Sequence, residues 1–234
     1  MTTDQPSVVL VHGAWADGSS WSKVTHSLQG NGIKAVAAPL PLTSLANDVA
    51  ALEQTLERID GPVVLAGHAY AGAVIGETRN AKVRSLVYIA ALAPDEGETV
   101  ADVFYHATPH PYAPLLAPDT HGAIWLPERA FTEAFAQHAT ADEQALLAAA
   151  QRPISSDCIG APVRRPLWKD LPSWFLVAEE DRMIVRETQL FMAHRMNATL
   201  RSEPVDHAPM VTAPDVVADI IREAAAADIA ALSQ

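Results

Sequence analysis

Histidines, carboxylates and one turn of very small residues are the groups here that could carry chemistry, and each lies at the end of an apolar run. The stretch Val63-Val64-Leu65-Ala66-Gly67-His68-Ala69-Tyr70-Ala71-Gly72 leads a strand into a small-residue turn and then a helix. Such a corner holds its central residue in a strained conformation, so the positions two away must be small, as Gly67 and Ala71 are. The departing helix aims free backbone N–H groups at the corner. A serine there would be an acyl-transfer nucleophile. The sequence has Ala69, which has no oxygen to attack a carbonyl, and no neighbour replaces it. His68 flanks the corner, and its side chain is expected to point away from the oxyanion site.

Three other segments would complete such chemistry. Val11-His12-Gly13-Ala14-Trp15 follows the first apolar run. A His-Gly loop there lets the N–H of Ala14, or of Trp15, face the corner and form an oxyanion hole with the N–H of Tyr70. His12 reads as structural, bonded within its loop. Glu179, Glu180 and Asp181 stand at the end of another run, where an acid that orients a histidine belongs. His207 follows the last run, and of the nine histidines it alone falls at a point of the topology that reaches the corner. Asp206 is adjacent to it, but side chains of neighbouring residues diverge, so Asp181 is the better orienter.

The remaining candidates are plainer. Trp15 and Trp125 are expected to touch a bound substrate, with Phe131 and Met210 as further lining. His106 and His110 are four apart, but Pro109 lies between them and no third ligand is marked, so no metal site is expected. Cys158 is the single cysteine, which excludes an intramolecular disulfide and a cysteine-based zinc site.

The elements that must position these residues are readable as alternating patterns. Apolar runs at Ser7–Val11, Lys34–Ala38, Val63–Ala66, Val83–Leu92 and Ser173–Ala178 lack polar alternation, which suits strands buried on both faces of a parallel sheet, and Thr199–Val205 is a shorter, more polar sixth segment. Helical pattern fills the gaps at Ser20–Gln29, Thr43–Ile59, Tyr70–Arg79, Arg186–Met196 and Ala213–Leu232. Leu45, Val49, Leu52 and Leu56 make a clear apolar stripe, and Pro214 suits a first helical turn. Strand, helix, strand repeated in this way predicts an α/β fold with a mostly parallel doubly wound sheet. Residues 95–170 break the rhythm with proline- and histidine-rich stretches and helical pieces at Glu128–His138 and Ala141–Gln151. This segment is expected to form a helical cap insertion within a single domain spanning residues 1–234.

Composition narrows the partners. The chain has 234 residues, 49% of them apolar and 19% charged, which suits a compact core. Its 16 basic and 28 acidic residues give a formal charge of −12, which disfavours nucleic acid and anionic membrane surfaces. The start Met1-Thr2-Thr3-Asp4-Gln5 has neither a basic nor an apolar export pattern, so a cytoplasmic location is expected.

Together the segments resemble the bacterial alpha/beta hydrolases related to plant methylesterases and hydroxynitrile lyases. The resemblance rests on Val9–Trp21, Pro41–Leu45, the corner at 67–72, Leu86–Ala91 with Ala93–Glu98, Glu180-Asp181-Arg182, and His207 with Thr212-Ala213-Pro214. The order corner, acid, histidine along the chain is also that of this fold. The resemblance implies an α/β-hydrolase fold, a His207–Asp181 pair, oxyanion donors at Ala14 and Tyr70, no cofactor and a small-molecule ester or related carbonyl substrate. Ala69 departs from it. Either an inactivating substitution stands in an otherwise complete esterase site, or the alanine is natural. In the second case His207 and Asp181 serve as a general base for lyase or cofactor-free oxygenase chemistry, or the protein only binds a ligand. The otherwise intact site favours the first reading.

Overall fold

In the computed structural model, residues 5–232 are described. The segment Met1–Asp4, read above for export signals, lies outside them. Six parallel strands form the central sheet: β1 (Ser7–Val11), β2 (Ala35–Ala38), β3 (Val63–His68), β4 (Val83–Ile89), β7 (Ser173–Ala178) and β8 (Thr199–Glu203), in the spatial order β2-β1-β3-β4-β7-β8. The five residues of β1 and the six each of β3 and β7 are buried without exception, which is why these strands read as unbroken apolar runs.

The chain steps outward from β1 to β2 through α1 (Ser22–Gly30), then returns across β1 to β3 through α2 (Leu45–Glu57). Right-handed crossovers in opposite directions put α1 and α2 on opposite faces of the sheet. The reversal leaves a crevice at the carboxyl ends of β1 and β3, where ligands bind in sheets of this type. Helix α2 begins at Ser44, whose hydroxyl accepts the Asn47 N–H at 3.2 Å, and it buries Leu45, Asp48, Leu52 and Leu56. Each buried leucine contributes about 1.5–3 kcal/mol to folding. Helix α3 (Ala71–Glu77) leaves β3 fully buried.

Between β4 and β7 the chain forms α4 (Val100–Phe104), β5 (Ala123–Ile124), α5 (Glu128–Ala130), α6 (Ala141–Ala150), β6 (Ile154–Ser155) and α7 (Ser156–Ile159). Strands β5 and β6 pair as a short antiparallel ribbon, which the sequence pattern did not reveal because two residues show no period. Where the pattern predicts an ordinary helix to His138, α5 passes into one π-helical turn over Phe131–Phe135. The N–H of Ala136 bonds five residues back to the Phe131 carbonyl at 3.0 Å. Thr99 and Thr140 cap α4 and α6, each in a reciprocal pair with the acid three residues on, Asp102 and Glu143. Ile124, Leu126, Phe131, Phe135 and Ile154 enter the same apolar cluster as the sheet. After β7 come α8 (Arg186–Arg195), α9 (Pro209–Thr212) and α10 (Pro214–Leu232). No helix among the described residues is long and apolar enough to cross a membrane.

Candidate active site

At the end of β3 the backbone turns through Ala69 with φ of +49°, a left-handed conformation that costs a non-glycine residue about 1 kcal/mol or more. Close packing holds it there. The Ala69 carbonyl accepts the N–H of Gly72 at 3.1 Å and of Leu92 at 2.9 Å. A Cβ on Gly67 would lie 2.9 Å from the Ala71 carbonyl oxygen, and one on Gly72 would fall inside the Leu92 carbonyl. The corner is therefore built for small residues on each side, as the sequence pattern required.

Facing it is the loop after β1. A Cβ on Gly13 would sit 3.0 Å from that of Ala69, so only glycine allows this approach. His12 is fully buried and bonds locally. Its Nε2 accepts the Leu40 N–H at 3.0 Å, which leaves Nδ1–H to donate to the Gly13 carbonyl at 3.0 Å. Burial lowers its pKa below the ordinary histidine range. The N–H of Trp15 is taken by the Arg152 carbonyl at 3.1 Å. The N–H groups of Ala14 and Tyr70 donate to no other described residue. Of the two loop donors the sequence left open, Ala14 is the one available.

The loops after β7 and β8 supply a buried pair. His207 Nδ1 lies 2.8 Å from Asp181 Oδ2, and both side chains are almost completely enclosed. The Asp181 carboxylate also accepts the N–H groups of Met183 and Ile184 at 2.7 and 2.8 Å, and Gln189 Nε2 at 2.9 Å. Three donors besides histidine fix the orientation of this carboxylate. Gln189, unmarked in the sequence, is tied in turn to the Ala178 N–H at 2.9 Å and the Ile184 carbonyl at 2.6 Å. Glu179 instead accepts from Ser202 at 2.7 Å, and Glu180 pairs with His138 at 3.0 Å. Asp206 caps its own loop, accepting from Ala208 N–H, Thr212 Oγ1 and His138 N–H at 3.2, 2.7 and 2.9 Å.

Ala14, Trp15, Ala69, Tyr70 and His207 border one cavity of about 220 Å³. Its remaining wall is mostly apolar: Leu92, Val100, Phe104, Ile124, Ile154, Met183 and others. Among the described residues, no Asp, Glu, Lys or Arg lines it. Trp125 does not line it, contrary to the sequence expectation. Ile124, the last residue of β5, borders the cavity and is 3% exposed, whereas the next residue, Trp125, stands 51% exposed to solvent. Phe131 and Met210 are buried elsewhere in the core and line no part of this wall. The His68 ring lies beside Gly13 and against His207, centroids 4.8 Å apart, and does not border the cavity. The π turn presses Phe135 against Trp15, His68 and His207 at 6.5, 6.2 and 5.1 Å. His106 stacks on Phe191 at 3.7 Å and His110 on Tyr112 at 5.5 Å.

Comparison with known proteins agrees with this fold. Residues 8–220 match the alpha/beta hydrolase family. A curated relative, the alpha/beta hydrolase nvfD of Aspergillus novofumigatus, is 25% identical over 94% of this chain and 97% of its own. Solved structures share the fold: a pyrethroid hydrolase from Sphingobium faniae JZ-2 (TM-score 0.83, 22% identity, 95% of this chain and 98% of that one) and polyneuridine aldehyde esterase (0.82, 19%, 94% and 98%). A methylesterase from Arabidopsis gives 0.76 at 16% identity, covering 94% and 99%.

Proposed function

We propose, from the premise that the chain belongs to the alpha/beta hydrolase family, that its site is that of a serine-type carboxylic ester hydrolase for a small apolar ester or lactone, with Ala69 at the nucleophile position. The observation that carries this reading is the buried His207–Asp181 pair at 2.8 Å, opening on the same apolar cavity as the strained corner at Ala69. The names of the fold neighbours, a pyrethroid hydrolase, a methylesterase and polyneuridine aldehyde esterase among them, point the same way.

The chemistry follows from the groups present. With serine at position 69, His207 Nε2 takes the hydroxyl proton as the oxygen attacks the ester carbonyl. Asp181 holds the ring and stabilises the imidazolium. The N–H groups of Ala14 and Tyr70 receive the oxyanion. His207 then returns the proton to the leaving alcohol, and water repeats the sequence to free the acid. With alanine the first step has no attacking atom. Loss of the nucleophile costs about a million-fold in turnover. The remaining site retains roughly a thousand-fold over water. The chain as it stands is impaired for covalent catalysis while keeping the binding cavity.

The test compares the chain with Ala69→Ser, using p-nitrophenyl acetate and a fluorophosphonate probe. The serine form is expected to hydrolyse the ester and take up the probe at position 69, the alanine form to do neither. If serine restores nothing, the esterase reading fails. A second reading is favoured by the same intact pair, ready-formed with no hydroxyl at the corner: His207 and Asp181 act directly as a base, in lyase or oxygenase chemistry. That reading requires activity with alanine and its loss on His207→Ala. A pure ligand-binding role requires turnover in neither form.

A further inference from the structure

Asp48 is a carboxylate with no measurable exposure, on the buried face of α2, and no cation is bonded to it among the described residues. Its oxygens are satisfied by neutral donors from three separate segments. Oδ1 accepts the N–H of Leu42 at 2.7 Å, and Oδ2 accepts the Tyr70 hydroxyl at 2.7 Å and the Cys158 thiol at 3.5 Å. Leu42 is itself held in a left-handed conformation, φ +59°, and its carbonyl accepts the Ser155 N–H at 2.9 Å. One carboxylate thus meets the loop before α2, the residue after Ala69, and α7 in the cap.

Tyr70 is attached to the site twice. The residue borders the cavity, and its backbone N–H is one of the two unengaged donors facing the corner. The ring's far end is the only part that Asp48 holds. We propose that Asp48 is a positioning residue for the oxyanion site: by anchoring the Tyr70 hydroxyl it fixes the backbone whose N–H receives the developing charge. The proposal rests on the donor assignment made under the proposed function. Asp48 touches no substrate; it acts through Tyr70. Reaction rates respond to such anchoring because a displacement of about 1 Å at the reacting centre costs about a hundred-fold.

The test uses two small changes, Tyr70→Phe and Asp48→Asn, each in the intact chain carrying Ala69→Ser and each compared with Ala69→Ser alone. Tyr70→Phe keeps the ring and removes only the anchoring hydroxyl. Its kcat for p-nitrophenyl acetate is expected to fall roughly tenfold to a hundred-fold, with KM changed less than about threefold. Asp48→Asn keeps one acceptor oxygen and is expected to fall between the two. Circular dichroism melts give the folded fraction, so that rates are stated per folded molecule. A merely structural role lowers the melting temperature and leaves kcat per folded molecule unchanged, and that result overturns the proposal. If Ala69→Ser itself is inactive, the esterase reading fails separately. The anchor is then read in the unmodified chain from nitrogen-15 relaxation of the amide at position 70. New exchange broadening in both variants supports it, and unchanged relaxation overturns it.

Discussion

The ring of His68 donates through Nε2 to the main-chain carbonyl of His207 across 2.7 Å, so the residue before the corner holds the loop that carries His207. A carbonyl can only accept, so Nε2 carries the proton and Nδ1 is the bare nitrogen. That Nδ1 is buried with no partner among the described residues. A second proton on this ring would sit in the core beside His207, and burial accordingly holds the His68 pKa well below the histidine value of 6.5.

The pH dependence of stability follows. The unfolded chain takes up a proton on His68 near pH 6.5, whereas the folded chain resists it to lower pH. Below that value the unfolded state binds more protons, so stability falls as pH drops from about 6.5, by up to about 1.4 kcal/mol per unit for this group. His12, lowered in the same direction, adds to the slope. Urea unfolding between about pH 7.5 and about pH 5 measures it. His68→Gln, which retains a donor for the His207 carbonyl, is expected to flatten the curve; an unchanged curve would contradict the burial argument.

Asp181 meets His207 Nδ1 at 2.8 Å while three other donors hold its carboxylate. In the Ala69→Ser form, Asp181→Asn is expected to lower kcat by about ten thousand-fold with KM little changed. Steady-state kinetics on p-nitrophenyl acetate decide it. A loss below about tenfold would remove Asp181 from the proposed mechanism, as would an equal loss on Glu180→Gln.

Gly72 has no room for a side chain because the Leu92 carbonyl occupies the place of its Cβ. Gly72→Ala is expected to destabilise the protein by about 1–3 kcal/mol. At Gly30, the end of α1, a methyl would meet nothing within 4 Å, and Gly30→Ala is expected to be neutral or stabilising by up to about 1 kcal/mol. Paired thermal melts test the contrast, which fails if both changes cost the same.

The cavity wall makes a further contrast. Leu116 borders the cavity and Trp125 does not. In the unmodified chain, Leu116→Arg places a charge in an apolar wall and is expected to weaken binding of a neutral aryl ester by at least about tenfold, while Trp125→Ala leaves it within about twofold. Isothermal titration with phenyl acetate distinguishes the two. Equal effects would mean that the ester binds elsewhere.

Much of this arrangement is legible in the residues. Ser7–Val11 and Ser173–Ala178 match the observed strands end to end, because strands covered on both faces carry no polar interruption. The corner at Ala69, the loop at Ala14, Asp181 and His207 lie together at the sheet's carboxyl edge because each follows a strand directly. What the sequence conceals depends on side-chain direction. Trp125 reads as pocket lining because a two-residue strand gives no period from which to tell inside from outside. The π turn at Phe131–Phe135 has the composition of an ordinary helix. Asp48 does leave a signal: it falls on the line of Leu45, Leu52 and Leu56, a charged position on an apolar stripe, which buried helices carry only when donors await it. Gln189 leaves none, since a glutamine in a helix is equally at home in water.

Trp15 is fastened to the cap at both ends, its backbone N–H to the Arg152 carbonyl and its indole N–H to the Ile124 carbonyl at 2.9 Å. Its own loop also carries Gly13 and Ala14. The cap over the cavity and the loop that carries Gly13 and Ala14 are thus one mechanical piece. Any displacement of the cap breaks two hydrogen bonds to this tryptophan and is passed on to the loop that faces Ala69.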